Sequence, residues 1–174
     1  MRLGYADPPY PGCAKRYADQ PDYAGEVDHV ALADRLREFD GYVLHTSAPA
    51  FAQIAALVPE ARAHIWIKPF AAFKRNVSVA YAWEPVFIVP VRKPVVRPAL
   101  QNQKIISRDW FAESITLKRG LTGAKPQRLC WWIFACAGMG PGDELVDLFP
   151  GTGAVSRAWE SYRDLFREEE TMTP

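Results

Sequence analysis

Leu145-Val146-Asp147-Leu148-Phe149-Pro150-Gly151-Thr152-Gly153 is the stretch that decides the fold. Its first five residues form an apolar run of strand length, and the proline and glycines that follow must end it. Val155, Trp159, Tyr162 and Phe166 then recur at helical spacing, so the spacing predicts a closing helix over 151–166. A strand that passes through a glycine turn into a helix is a building unit of α/β proteins, whose ligands bind beyond the carboxyl ends of the strands.

The rest of the chain alternates in the same way. Met1 to Ala6 is a short strand that runs into Asp7-Pro8-Pro9-Tyr10-Pro11-Gly12, where the prolines cannot donate to a ladder. Residues 11–25 read as a loop. Val27, Val30, Leu32, Leu36 and Phe39 share one helical face, and Tyr42 to Thr46 follows as a strand. Ala48 to Val58 reads as a helix, and His64 to Ile67 and Val86 to Val89 as strands, the first apolar on both sides as for a sheet covered on both faces. Residues 90–121 show no clean period and read as one long irregular segment. Leu129, Trp132, Ile133 and Cys136 mark a helix over Pro126 to Cys136. The pattern predicts a layered α/β fold with a largely parallel sheet.

Length and composition bound the rest. At 174 residues the expectation is one domain, and 49% hydrophobic with 24% charged residues is enough apolar material for a core. Cys13, Cys130 and Cys136 are an odd set without a CxxC pair, which fits neither a disulfide framework nor a zinc site, so no metal is expected. No targeting pattern opens the chain and no apolar run is long enough to span a bilayer, so a cytoplasmic protein without a membrane partner is expected.

Two motifs carry chemistry. In Asp7-Pro8-Pro9-Tyr10 an acid and rigid backbone carbonyls lie beside an aromatic face. An exocyclic base amine that donates its two N–H groups to Asp7 and to the Pro8 carbonyl, with Tyr10 stacked on its ring, becomes the nucleophile, by positioning and electrostatics alone. The second motif, Asp147 to Gly153, lets a nucleotide-like ligand approach the backbone at its two glycines. Ser156 at the third glycine position makes it a poor dinucleotide fingerprint, and no Gly-Lys-Ser/Thr makes it a P-loop.

Together the motifs resemble those of the S-adenosylmethionine-dependent amino-methyltransferases of DNA, in which DPPY holds the target amine and FxGxG the cofactor. The catalytic motif comes first here, as in the circularly permuted class, and the resemblance spans about residues 3–160, with Gly123-Ala124-Lys125-Pro126 before the cofactor strand and Glu84-Pro85-Val86 also similar. It implies a Rossmann-like methyltransferase fold, α/β with a largely parallel central sheet, permuted and shortened. Asp7, Pro8, Pro9 and Tyr10 would be catalytic. Asp147, Phe149, Pro150, Gly151, Thr152, Gly153, Lys125 and Ala6 would hold the cofactor, with Thr122 a weaker candidate. Asp rather than Ser before the prolines favours adenine-N6 over cytosine-N4, with RNA as an alternative polymer. The similarity is to small solitary forms typical of phage and bacteria. Family members continue past the glycine helix into a strand whose terminal acid holds the cofactor ribose. Only 21 residues follow Gly153, reading as one helix and a tail, so Glu160 or an acid of residues 13–28 would have to substitute, or cofactor affinity is low, or the chain is a non-catalytic nucleic-acid-binding relative.

The formal net charge of +1 hides an asymmetry. Residues 62–128 hold thirteen Lys and Arg against three acids, or +10, and the remainder holds eight against seventeen, or −9. Aromatic residues interleave the basic half, a mixture suited to phosphate contact and base stacking. Lys68, Lys74, Arg75, Trp83, Arg92 and Lys93 are accordingly the predicted nucleic-acid contacts, on two substrate-facing loops, 68–83 and 90–121. DNA is the expected partner. A further copy or a specificity partner would supply the readout for which the chain has no separate domain. His29, His45 and His64 lack ligand spacing and read as packing or hydrogen-bonding residues.

Overall fold

A computed structural model of the chain describes residues 1–18, 25–70, 77–92, 108–115 and 124–171. Six strands, β1 (Arg2–Ala6), β2 (Gly41–His45), β3 (Arg62–Ile67), β4 (Trp83–Val89), β5 (Trp110–Ala112) and β6 (Glu144–Asp147), form one sheet in the order β5-β3-β4-β2-β1-β6. Five run in one direction and β4 alone runs against them, antiparallel to both β2 and β3. The largely parallel sheet predicted from the sequence is thus observed, with one reversed strand. The link from β3 to β4 carries no crossover helix among its described residues, and strands joined without one pair antiparallel.

Helices α1 (His29–Leu36) and α2 (Phe51–Leu57) cover one face; α3 (Gln127–Cys136) and α4 (Ala154–Thr171) cover the other. Asp28 caps α1, its carboxylate accepting the Val30 and Ala31 N–H groups at 3.0 Å each. Leu32, Ala33 and Leu36 turn that helix onto Tyr42, Leu44 and Phe87. On the other face, Leu129, Ile133 and Phe134 of α3 and Val155, Trp159 and Tyr162 of α4 pack with Leu3, Tyr5 and Val43. Each fully buried Leu or Ile here contributes roughly 1.5–3 kcal/mol.

Two expectations need correction. The 90–121 segment contains β5, three residues pinned beside β3 by Ile65↔Trp110 and Trp66↔Phe111, too short to show a period. And β3 is not apolar-covered on both sides: His64 and Trp66 are buried, whereas Ile65 is half-buried and Ile67 exposed. At the other margin, β6 pairs with β1 and has no outer neighbour among the described residues. None of the described helices is long and apolar enough to cross a membrane, and the described residues hold no group of three or more potential metal ligands.

Candidate active site

β1 and β6 lie side by side and parallel, Tyr5 opposite Asp147, with the Leu148 N–H donating to the Tyr5 carbonyl at 2.8 Å. The two sequence motifs therefore leave neighbouring strands at the same carboxyl edge. The amino end of the reversed strand β4 reaches this edge too, bringing Trp83 and Glu84.

Asp7 leads the chain out of β1, and Pro8 and Pro9, with no N–H to offer, release it from the sheet. The Asp7 carboxylate is paired through Oδ2 with the Lys125 ammonium, and its Oδ1 accepts from the Tyr10 hydroxyl at 3.3 Å. The same hydroxyl lies 3.0 Å from Glu84 Oε2, and Glu84 Oε1 is paired with the Lys68 ammonium. Both ammoniums face Trp66, 4.6 Å (Lys68) and 5.9 Å (Lys125) from its ring centroid, while the Trp66 indole N–H donates to the Glu113 carbonyl at 2.7 Å. Two acids and two bases are thus closed into one network around Tyr10.

Beneath it, Tyr5 and His45 meet at 2.7 Å, both fully buried. Burial raises the Tyr5 phenol well above its ordinary value, and burial, reinforced by the nearby Lys125 cation, pushes His45 well below its own. Both are therefore neutral and share one hydrogen bond whose direction follows the imidazole tautomer, while His45 Nδ1 has no partner among the described residues.

On β6, Asp147 Oδ1 accepts the Phe149 N–H at 3.1 Å, but its buried Oδ2 has no partner among the described residues. Burial is the main cause that lifts this carboxyl above its ordinary value, opposed by the Phe149 N–H and reinforced by Asp7. The turn that follows requires glycine: Gly151 has φ +46 and Gly153 φ +70, the left-handed region. The Gly153 N–H donates to Pro150 O at 2.7 Å and its carbonyl accepts the Arg157 N–H at 3.1 Å, starting α4. An acid with an open, desolvated oxygen beside an exposed glycine turn fits a ligand that brings a donor and a flat or cationic group.

Several predicted site residues stand elsewhere than expected. Lys125, expected at the cofactor, is paired with Asp7. Lys68 is turned in against Glu84 and Trp66, its side chain 12% exposed, and does not present a free cation to solvent. Arg92 stands far from Asp7. It forks onto Asp143 at 2.5 and 2.7 Å and onto the Gly138 carbonyl at 3.0 Å, just before β6 begins, which is the amino edge of the sheet and opposite to Asp7. A polyanion contact there would not serve a base held at Asp7. Trp83 is exposed at the carboxyl edge, edge-on to Phe51, and with Ala48, Pro49, Val79 and Tyr81 lines an open groove. Lys74, Arg75, Lys93 and Thr122 lie outside the described residues. Sequence reasoning missed the site roles of Glu84, Trp66, His45 and Tyr5. Glu84 alone carried a signal: it is the one acid between Arg62 and Arg108, placed directly before an apolar strand.

No protein-family model matches the chain, and no curated protein sequence matches it. Among solved structures it is similar to the M1.HpyAVI–SAM complex, with a TM-score of 0.57 at 17% identity over 92% of this chain and 78% of that one. M1.HpyAVI itself gives 0.52 at 16% identity, covering 93% and 75%. The PvuII DNA methyltransferase, cytosine-N4-specific, gives 0.60 at 11% identity, covering 93% and 71%. What is shared at these identities is the fold, and this chain has the Rossmann-like α/β architecture of those proteins.

Proposed function

We propose that this chain is an S-adenosylmethionine-dependent methyltransferase that modifies the exocyclic amine of adenine (N6) in DNA. The observation that carries the reading is the convergence of Asp7 to Tyr10 and Asp147 to Gly153 on one edge of adjacent parallel strands. The likeness to a SAM complex and to a DNA methyltransferase supports it. The cofactor supplies an electrophilic methyl group on a sulfonium. Asp147 Oδ2, the Ala6 end of β1 and the turn from Phe149 through Gly153, with Pro150 and Thr152, would hold it. Asp7 and the Pro8 carbonyl take the two N–H groups of the base amine, and Tyr10 covers the ring. The base reaches them out of its stack, flipped or from a single strand, past the aromatic groove at Trp83.

Labelled S-adenosylmethionine, incubated with single-stranded DNA, duplex DNA or RNA and followed by identification of the nucleoside, tests the reading. N6-methyladenine in DNA is expected, and no label in any polymer rejects it. Asp7→Ala should lower turnover at least about 100-fold while calorimetry still detects cofactor binding. Lost cofactor binding would show the roles to be misassigned.

Two observations favour other readings. The PvuII enzyme is cytosine-N4-specific, and the same digestion separates N4-methylcytosine from N6-methyladenine. The second is that β6 has no outer neighbour among the described residues, the place where the family resemblance would put a ribose-binding acid; without any such acid the chain would be a non-catalytic nucleic-acid-binding protein. Absence of calorimetric binding to S-adenosylmethionine is the result that reading requires.

A further inference from the structure

The Tyr10 hydroxyl has one proton and two carboxylates to give it to, Glu84 Oε2 at 3.0 Å and Asp7 Oδ1 at 3.3 Å. On the reading above, Asp7 must accept an N–H from the substrate amine, and its Oδ2 already faces Lys125. A Tyr10 proton on Oδ1 would take one of the lone pairs of the remaining oxygen and draw its charge away from the amine. Glu84 is the nearer acceptor and is fixed in place by Lys68, whose ammonium is wedged between that carboxylate and the Trp66 ring.

We propose that Glu84 is a positioning residue that draws the Tyr10 hydroxyl away from Asp7, leaving Asp7 Oδ1 open to the substrate amine. The inference rests on the methyl-transfer reading, since the amine is the group for which Oδ1 is kept open. It also gives Lys68 its place: it is the counter-ion that anchors Glu84. The same bond fixes the angle of the Tyr10 ring, tethered at its far end to β4 while Pro8 and Pro9 stiffen the near end.

Glu84→Gln keeps the shape of the side chain and reverses the bond, because the amide NH2 donates to the phenol oxygen and turns the hydroxyl proton toward Asp7. The variant should lose about 10- to 100-fold in kcat/KM. In a Tyr10→Phe background, where there is no hydroxyl to direct, the same substitution should cost kcat/KM far less, only what the lost charge opposite Lys68 costs. A merely structural Glu84 would cost as much in either background, and that result overturns the proposal. A second measurement needs no turnover. In protein carrying tyrosine labelled at the ring carbon that bears the hydroxyl, the Tyr10 resonance, assigned by its loss in Tyr10→Phe, should shift in Glu84→Gln. An unmoved resonance rejects the Glu84 contact whether or not the protein is active. A shifted resonance in a protein that methylates no polymer overturns the methyl-transfer reading, and with it the amine-directed role of Glu84.

Discussion

The Lys125 side chain is 6% exposed, and what keeps it charged there is Asp7. Burial by itself would lower the ammonium, but Asp7 and Glu84 outweigh it and hold it above its ordinary value. The pair is a liability if cut on one side, since each partner was desolvated on the assumption of the other. Lys125→Met should therefore destabilise the fold by about 1–3 kcal/mol, less than for a fully buried pair because Asp7 stays 22% exposed. Adding Asp7→Asn should recover part of that loss by removing the stranded charge. Thermal melts of the two single variants and the double decide it; additive losses would mean that the two side chains do not depend on each other. This residue also marks the limit of motif reading. Gly123-Ala124-Lys125-Pro126 is visible in the sequence as a unit, but the chain separation of 118 residues between Lys125 and Asp7 hides which group the ammonium meets. The Asp7 and Asp147 motifs were legible because each is contiguous. The Glu84–Tyr10 contact was not, because it joins residues 74 positions apart that only the folded sheet brings together.

At the level of elements, legibility followed length and burial. β2 and the helix α3 show their periods because each contributes a row of side chains to the core. β5 shows none, because three residues held mainly from outside carry no period of their own. Trp132 does much of that holding: its ring stacks on Phe111 at 5.6 Å and meets His64 edge-on at 5.8 Å, and its N–H donates to the Arg108 carbonyl at 3.2 Å. From the sequence Trp132, with Trp131, reads as core plus a loop contact. The structure makes it the clamp between α3 and the edge strand. Trp132→Ala should cost about 3–5 kcal/mol and release residues 108–115 to amide exchange before the rest of the sheet. Trp132→Phe keeps the stacking and loses the hydrogen bond, so it should cost only about 1 kcal/mol. Equal exchange of β5 and β1 in the Ala variant would show that the strand is secured by something else.

Across the whole molecule the three buried histidines push stability in one direction with pH. Burial holds His45 well below its ordinary value, and it lowers His29 and His64 as well. The folded protein therefore refuses protons that the unfolded chain accepts once the pH drops through about 6.5, and stability must fall as the medium is acidified below that point. Asp143 opens a second window lower down. Burial would raise its carboxyl, but Arg92 and the Gly140 N–H outweigh burial and bring it to about 2. Its contribution, about 2 kcal/mol, is thus complete above the unfolded value near 4 and is lost as pH falls from there through about 2. Melting temperature against pH should accordingly be flat near neutrality, decline below about 6.5 and steepen below about 4. Two variants assign the limbs. His45→Gln, whose amide oxygen can take the Tyr5 hydroxyl, should flatten the upper decline without abolishing it, because His29 and His64 remain. Asp143→Asn should lower stability at pH 7 and reduce the extra steepness at acid pH without abolishing it, because Glu60, which burial would raise, is likewise brought to about 2 by hydrogen bonds from Arg37 and Tyr42. An upper limb as steep in His45→Gln as in the parent protein would mean that the buried Tyr5–His45 pair takes up a proton without opening the fold.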